Sequence, residues 1–152
     1  MDKQQFKDFC KKEFLARGFK KQKNAFWLAG DEVLCSLHLQ KSDYGPNFYI
    51  NCFYYVGNFK QFNTYPPLYD DDLRGRISVL SKSQKVDGKC FRTPLIAYEE
   101  YTEEEMKPYF DKAFEDVILP ALEYGKAYIL KFLRVKYHLT MYQEEVMRKL
   151  QS

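Results

Sequence analysis

Two segments of this chain alternate apolar and polar residues with a period of two, and that pattern constrains the fold more than any other feature. In the first, Val33, Cys35, Leu37 and Leu39 alternate with Leu34, Ser36, His38 and Gln40. In the second, Phe48, Ile50, Cys52, Tyr54 and Val56 alternate with Asn47, Tyr49, Asn51, Phe53 and Tyr55. Successive side chains of an extended strand point to opposite faces, so each segment reads as a half-buried strand. Lys41-Ser42-Asp43-Tyr44-Gly45-Pro46 reads as the loop between them. Pairing Gln40 with Asn47 sets Leu39 against Phe48, Leu37 against Ile50 and Cys35 against Cys52, whereas a one-residue slip sets apolar against polar residues. This register predicts Cys35 and Cys52 as directly opposed, reduced thiols.

The rest of the chain yields to the same reasoning. Phe6, Phe9, Cys10 and Phe14 recur at three- and four-residue spacing, which predicts an amphipathic helix over residues 3–17. Gly18 then supplies a left-handed cap, with Phe19 behind it. Ala25–Leu28 is a short apolar strand, turned by Ala29-Gly30-Asp31-Glu32. Gly57–Gly75 is a long connection expected to hold a helical turn anchored by Phe59, Phe62 and Tyr65. Arg76–Leu80 reads as a fourth strand and Leu95–Tyr98 as a fifth, after a turn at Asp87-Gly88. Thr102 and Glu105 form a capping box before a helical stripe from Met106 to Ile118. Pro108 is expected to interrupt that helix and Pro120 to kink or end it. A second helix is expected from Gly125 to Tyr137, and a last one capped by Thr140 with Gln143. This order predicts an α+β fold: an antiparallel sheet of about four or five strands with an N-terminal helix and C-terminal helices packed on it.

No Gly/Ser/Pro-rich linker divides the 152 residues, so one domain over 1–152 is expected. The N-terminal run alternates charged and apolar residues and lacks the apolar stretch of a signal peptide. No run of roughly 18 apolar residues is present to span a membrane. A cytoplasmic location with no membrane contact is expected. Cys10, Cys35, Cys52 and Cys90 are too widely spaced for zinc pairs and read as reduced core residues. The net charge of +3 is too small to imply nucleic acid. Its distribution is uneven. Lys3, Lys7, Lys11, Lys12, Arg17, Lys20, Lys21 and Lys23 make the first segment basic, while Glu99, Glu100, Glu103, Glu104, Glu105, Asp111, Glu115 and Asp116 make a later one acidic. These read as solvated helix faces that attract one another, with a basic binding patch as the alternative.

The strand pairing also assembles an outward face. His38, Gln40, Tyr49, Asn51, Arg76 and Ser78 point the same way and form the candidate ligand or partner face. The readings open to it are an ordinary half-exposed sheet face, a face covered by the C-terminal helices, and a binding groove. No catalytic residue is assigned. His38 shares a strand with Cys35, but their odd separation puts them on opposite faces, and His138 lies near a helix end beside no nucleophile motif. Asp70-Asp71-Asp72 lacks the glycine spacing and final glutamate of a calcium loop and reads as a solvated acidic turn. Neither phosphate-loop glycine motif is present. No metal or cofactor is assigned.

Gly18-Phe19-Lys20-Lys21, Phe26-Trp27, Leu39-Gln40-Lys41-Ser42 with Tyr44-Gly45, Phe48-Tyr49-Ile50-Asn51 and Arg76-Ile77 together resemble a bacterial family catalogued as domain of unknown function 4304. The likeness runs from the first helix to the fourth strand. The paired tryptophans that its members often carry beyond that arginine are absent here, where the nearest aromatic is Phe91. The resemblance implies one small bacterial domain and carries no activity, cofactor or catalytic residue. The functional expectation is a non-catalytic module, immunity- or adaptor-like, that binds a protein partner or a second copy of itself through an aromatic-rich surface. A nucleic-acid-binding domain using the basic N-terminal segment is one alternative. A small-ligand protein or enzyme built on His38 and Arg76 is the other.

Overall fold

The computed structural model of the chain describes residues 1–140 and 143–152. Helix α1 (Lys3–Ala16) opens with a capping box between Asp2 and Gln5. It ends on Gly18 at φ +90°, where the Phe19 N–H reaches the Phe14 carbonyl at 3.1 Å. That left-handed turn is the predicted cap. Strands β1 (Lys20–Gln22), β2 (Ala25–Ala29), β3 (Val33–Lys41), β4 (Phe48–Val56) and β5 (Leu73–Arg76) follow as an antiparallel meander. β8 (His138–Leu139) joins the far edge, giving six strands in the order β1-β2-β3-β4-β5-β8. β6 (Val79–Val86) and β7 (Lys89–Thr93) form a separate hairpin around Asp87-Gly88. The fold is α+β, with one more strand in its main sheet than the upper expectation of about five: β1 and β8 are added, and Leu95–Tyr98 does not join.

The observed register differs from the predicted one by two residues. Gln40 pairs with Tyr49, Leu37 with Cys52 and Cys35 with Tyr54. A two-residue shift leaves every side chain on its predicted face, so the alternation cannot detect it. The loop decides. The Ser42 N–H bonds the Asn47 carbonyl at 3.0 Å, leaving only Asp43–Pro46 to turn the chain with Gly45 at φ +97°. Cys35 and Cys52 thus become diagonal neighbours on an antiparallel pair, a separation of about 7–8 Å that lies beyond disulfide reach. Both are free and buried, as is Cys10, whereas Cys90 is exposed.

Other boundaries also move. The connection after β4 ends at Asp72 and holds one hydrogen-bonded turn, Phe62 N–H to Phe59 O, in place of a helical turn. The predicted fourth strand breaks at Ile77-Ser78, where the chain leaves the main sheet for the hairpin. Leu95–Tyr98 contributes only a bridge between Ile96 and Phe48, then a 3-10 turn at Tyr98–Glu100. Asp72 is buried, not solvated. It accepts the Val56 N–H at 2.7 Å and Lys149 at 3.0 Å.

Helix α2 (Glu103–Ala113) begins with the predicted Thr102–Glu105 box and runs through Pro108 unbroken. The carbonyl that Pro108 leaves without a donor belongs to Glu104, which is exposed to water. Pro120 has a larger effect. A π segment, Phe114–Ile118, precedes it and leads into α3 (Leu119–Tyr124). The Asp116 carbonyl, deprived of the Pro120 N–H, accepts instead from Lys136 Nζ at 2.9 Å and the Tyr128 hydroxyl at 3.3 Å. The Tyr137 hydroxyl donates to the Val117 carbonyl at 2.5 Å. These contacts require the chain to turn back early, so α4 (Lys126–Lys131) stops short of Tyr137, with Arg134 at φ +68°. His138 accordingly sits in a strand and not at a helix end. The last helix is α5 (Gln143–Gln151); Thr140 does not form the expected cap with Gln143, because its hydroxyl donates to the Asp71 and Asp72 carbonyls instead. No helix among the described residues is long and apolar enough to cross a membrane.

The five α-helices among the described residues all contribute to one core with the odd residues of β3 and the even residues of β4. Phe6, Phe9 and Phe14 of α1 join Phe110 of α2, Ala121 of α3, Ile129 of α4 and Val146 of α5 against Cys35, Leu37, Ile50, Cys52 and Tyr54. The sequence's charge asymmetry is partly used here. Lys12 pairs with Glu103, and Glu13, Arg17, Lys107 and Asp111 form a closed ion network between α1 and α2.

Candidate functional site

With the helices on the other side, the even residues of β3, the odd residues of β4 and Arg74 and Arg76 of β5 share the outer face. Cross-strand pairing sets Gln40 beside Tyr49, His38 beside Asn51, and Asn51 beside Arg76. Five of the six predicted residues are therefore together. Ser78 is not with them. It follows the break after β5 and lines another cavity, of about 360 Å³, that runs from Gly75 and Arg76 past Ile77 to Lys112 and Asp116.

The outer face is half covered, and the cover is not the C-terminal helices. Segment 57–72 crosses it at the end carrying Trp27 and Ser36. Tyr65 meets the Trp27 ring edge-on at 5.6 Å, and its hydroxyl lies 3.3 Å from Ser36 Oγ. Two backbone bonds, Gly57 to Glu32 and Phe59 to Asp31, tie the start of the segment to the β2–β3 turn. Trp27 and Leu34 are buried yet stand outside the main core, as this cover requires.

His38 and Ser36, two apart on β3, form a pair the sequence reading did not weigh: Ser36 Oγ lies 2.9 Å from His38 Nε2. The geometry does not make a nucleophile of it. Ser36 has no exposed surface, and His38 packs in a T-shaped pair with Phe53 at 5.1 Å instead of against a carboxylate. Burial pushes the His38 pKa below the ordinary value of 6.5. The folded state thus favours the neutral ring. The stability this contributes is fully present above pH 6.5 and is lost as the pH falls through that value toward the folded pKa. Urea denaturation between about pH 5.5 and 7.5 should show stability rising with pH, with a smaller slope in His38→Gln. An unchanged slope would remove His38 as the source.

The uncovered half is a shallow cavity of about 380 Å³ lined by Gln40, Asn51, Phe53, Arg74, Gly75 and Arg76. Its two arginines differ in one respect. Arg74 lies over the Phe53 ring at 5.0 Å and grips Asp71 through Nε at 3.1 Å and Nη2 at 2.9 Å. Arg76 lies over the Tyr49 ring at 4.0 Å, and its Nε donates to Asn51 Oδ1 at 2.9 Å. Asn51 Nδ2 in turn donates to Gln40 Oε1 at 2.9 Å, which fixes the amide's orientation. Among the described residues no carboxylate meets Arg76. Its two terminal nitrogens stay available as an end-on fork. Sequence reasoning found Arg76 but missed Arg74, because it started the strand three residues late; the Asp71-x-x-Arg74 spacing was the available signal. Among the described residues no three His, Cys, Asp or Glu side chains gather as a metal site.

These features define a small α+β domain whose sheet carries helices on one face and a half-covered polar–aromatic surface on the other. The chain belongs to the family described as domain of unknown function (DUF4304), which matches residues 10–124. That span runs from within α1 to the end of α3, well past the fourth strand. No curated protein and no solved structure matches the chain.

Proposed function

We propose that the chain is a non-catalytic binding module whose outer sheet face recognises a protein partner by taking one of its carboxylates onto Arg76. The observation that carries this reading is the contrast between two neighbouring arginines. Arg74 has its carboxylate supplied by Asp71 of its own chain; Arg76 is stacked and oriented in the same manner but has none. An arginine whose stem is already held loses little freedom on binding, which is how interface arginines become energetic centres. Tyr49 and Phe53 beside it supply half-buried rings of the kind enriched in such centres. A cytoplasmic, bacterial setting and an adaptor- or immunity-like role fit a module of this size.

The test uses a capped dipeptide, acetyl-Tyr-Glu-amide, which offers one ring and one carboxylate. Nitrogen-detected NMR should show saturable shifts at the Arg76 Nε–H and the Asn51 side-chain amide. Arg76→Lys keeps the charge and loses the fork, so affinity should fall roughly fivefold, the equivalent of one net hydrogen bond. Equal binding to the lysine variant, or shifts confined to other surfaces, would sink the reading.

A further inference from the structure

The charge of α1 divides by helix geometry. Lys12 and Arg17 face the acids of α2, but Lys3, Lys7 and Lys11 lie four apart on another side of the helix. That side forms one wall of a groove of about 590 Å³, and Lys21, Lys23 and Lys41 of the β1–β3 edge form the other. None of these six lysines has an acidic partner among the described residues. The one carboxylate in the groove, Asp8, is held by Gln4 Nε2 at 2.9 Å. Six lysines against one aspartate give the groove five net positive charges, more than the chain's whole excess of +3, so the remainder is net negative by two. The small net charge therefore conceals a strong local field. Assembling like charges without counter-ions costs stability, and a bound polyanion relieves that cost.

We propose that this groove binds the backbone of a single-stranded nucleic acid without reading its bases. The groove lies on the helix-bearing side of the sheet, so the inference is independent of the Arg76 reading. Residues four apart on a helix are separated by about 6 Å along its axis. On the other wall Lys21 stands in β1 and Lys23 in the turn that follows it, at φ +52°. The helix wall thus offers charge at a regular repeat, close to twice the roughly 3.4 Å of axial rise per phosphate in a stacked strand, and the facing wall adds three lysines opposite it. Duplex readers push a helix or ribbon outward into a groove of the DNA, whereas these lysines line a concavity, the arrangement that tracks a single strand. The floor rings, Phe26 and Phe48, are 7% and 3% exposed and offer no flat surface for bases. Lysines act as point charges that follow phosphates without fixing a register, and the groove holds no arginine fork for a carboxylate.

Fluorescence anisotropy with labelled dT12 and dA12, across about 50 to 200 mM salt, tests this with the full chain. Both strands should bind, with affinities within about threefold of each other because no base is read. The logarithm of affinity should fall steeply and linearly with the logarithm of salt. Lys7→Gln/Lys11→Gln/Lys21→Gln removes three phosphate contacts and should flatten that slope by about 2, with at least roughly tenfold weaker binding at low salt. Arg76→Lys should leave both unchanged, and a melting curve for each variant confirms its fold. Three results overturn the inference: no binding at low salt, a slope the triple variant does not change, or displacement of dT12 by an octaglutamate peptide at equal charge concentration. The last assigns the groove to an acidic polypeptide instead.

Discussion

Phe14→Ala is expected to destabilise the chain by about 3–5 kcal/mol, the range for a fully buried ring replaced by a methyl. Phe14 has no exposed surface and touches three other rings: Phe26 of β2 at 5.2 Å, Phe110 of α2 at 6.1 Å and Phe114 of the π segment at 5.9 Å. It is thus the point where the first helix, the sheet and the helix carrying the π segment meet. Each ring pair adds about 0.5–1.5 kcal/mol beyond the area it buries, so the loss should sit at the upper end of the range. In a chain of this length about 2–4 °C of melting temperature is lost per kcal/mol, which makes the expected fall on the order of 10 °C. Phe14→Leu, which preserves most of the volume, should cost much less. Denaturant titration is the check: the midpoint should drop with the slope unchanged. A loss under about 1 kcal/mol would mean that the four rings do not join these elements.

The same residue shows what a sequence can and cannot convey. Phe14 is legible as core because it continues the spacing of Phe6, Phe9 and Cys10, and its cap at Gly18 follows from glycine's freedom at positive φ. Face assignments in β3 and β4 are legible because a period of two survives any even slip. For that same reason the register is not: it is set by backbone pairing that begins beside the loop at Ser42 and Asn47, which no side-chain pattern encodes. β1 is invisible for a related cause. Lys20, Lys21 and Gln22 are all exposed, and only backbone pairing to β2 makes them a strand. On the outer face, five of six candidate residues assemble as read, since they follow from strand parity. Ser78 departs because the chain breaks at Ile77, where apolar spacing continues but sheet pairing does not. The lysine groove needs both kinds of information. Helix spacing separates Lys3, Lys7 and Lys11 from Lys12, but only the packing of α1 beside the β1–β3 edge brings Lys21, Lys23 and Lys41 opposite them.

Gly30→Ala is the second large effect expected, and its cause is backbone proximity, not conformation. A Cβ at Gly30 falls 1.9 Å from the Leu122 carbonyl oxygen and 2.8 Å from its carbon, inside contact distance of main-chain atoms of α3. No side-chain rotation relieves that overlap, so either α3 or the β2–β3 turn must shift. Overpacking of this kind costs about 1–3 kcal/mol when side chains absorb it, and a main-chain obstacle places this case at or above the top of that range. The consequences reach the outer face. The turn also holds Glu32, whose carboxylate accepts the Lys126 N–H at 3.2 Å, and the carbonyls of Asp31 and Glu32 that secure segment 57–72. Displacing the turn should loosen that segment and wet the indole beneath Tyr65. Trp27 is the chain's one tryptophan, so its emission reports on the cover alone. The variant should show a red-shifted spectrum under native conditions together with a melting temperature lower by several degrees or more. A destabilised variant with unchanged emission would mean that the cover is held by Tyr65 and Asp72 without the turn. An unperturbed melting temperature would show that α3 does not sit against Gly30 at all.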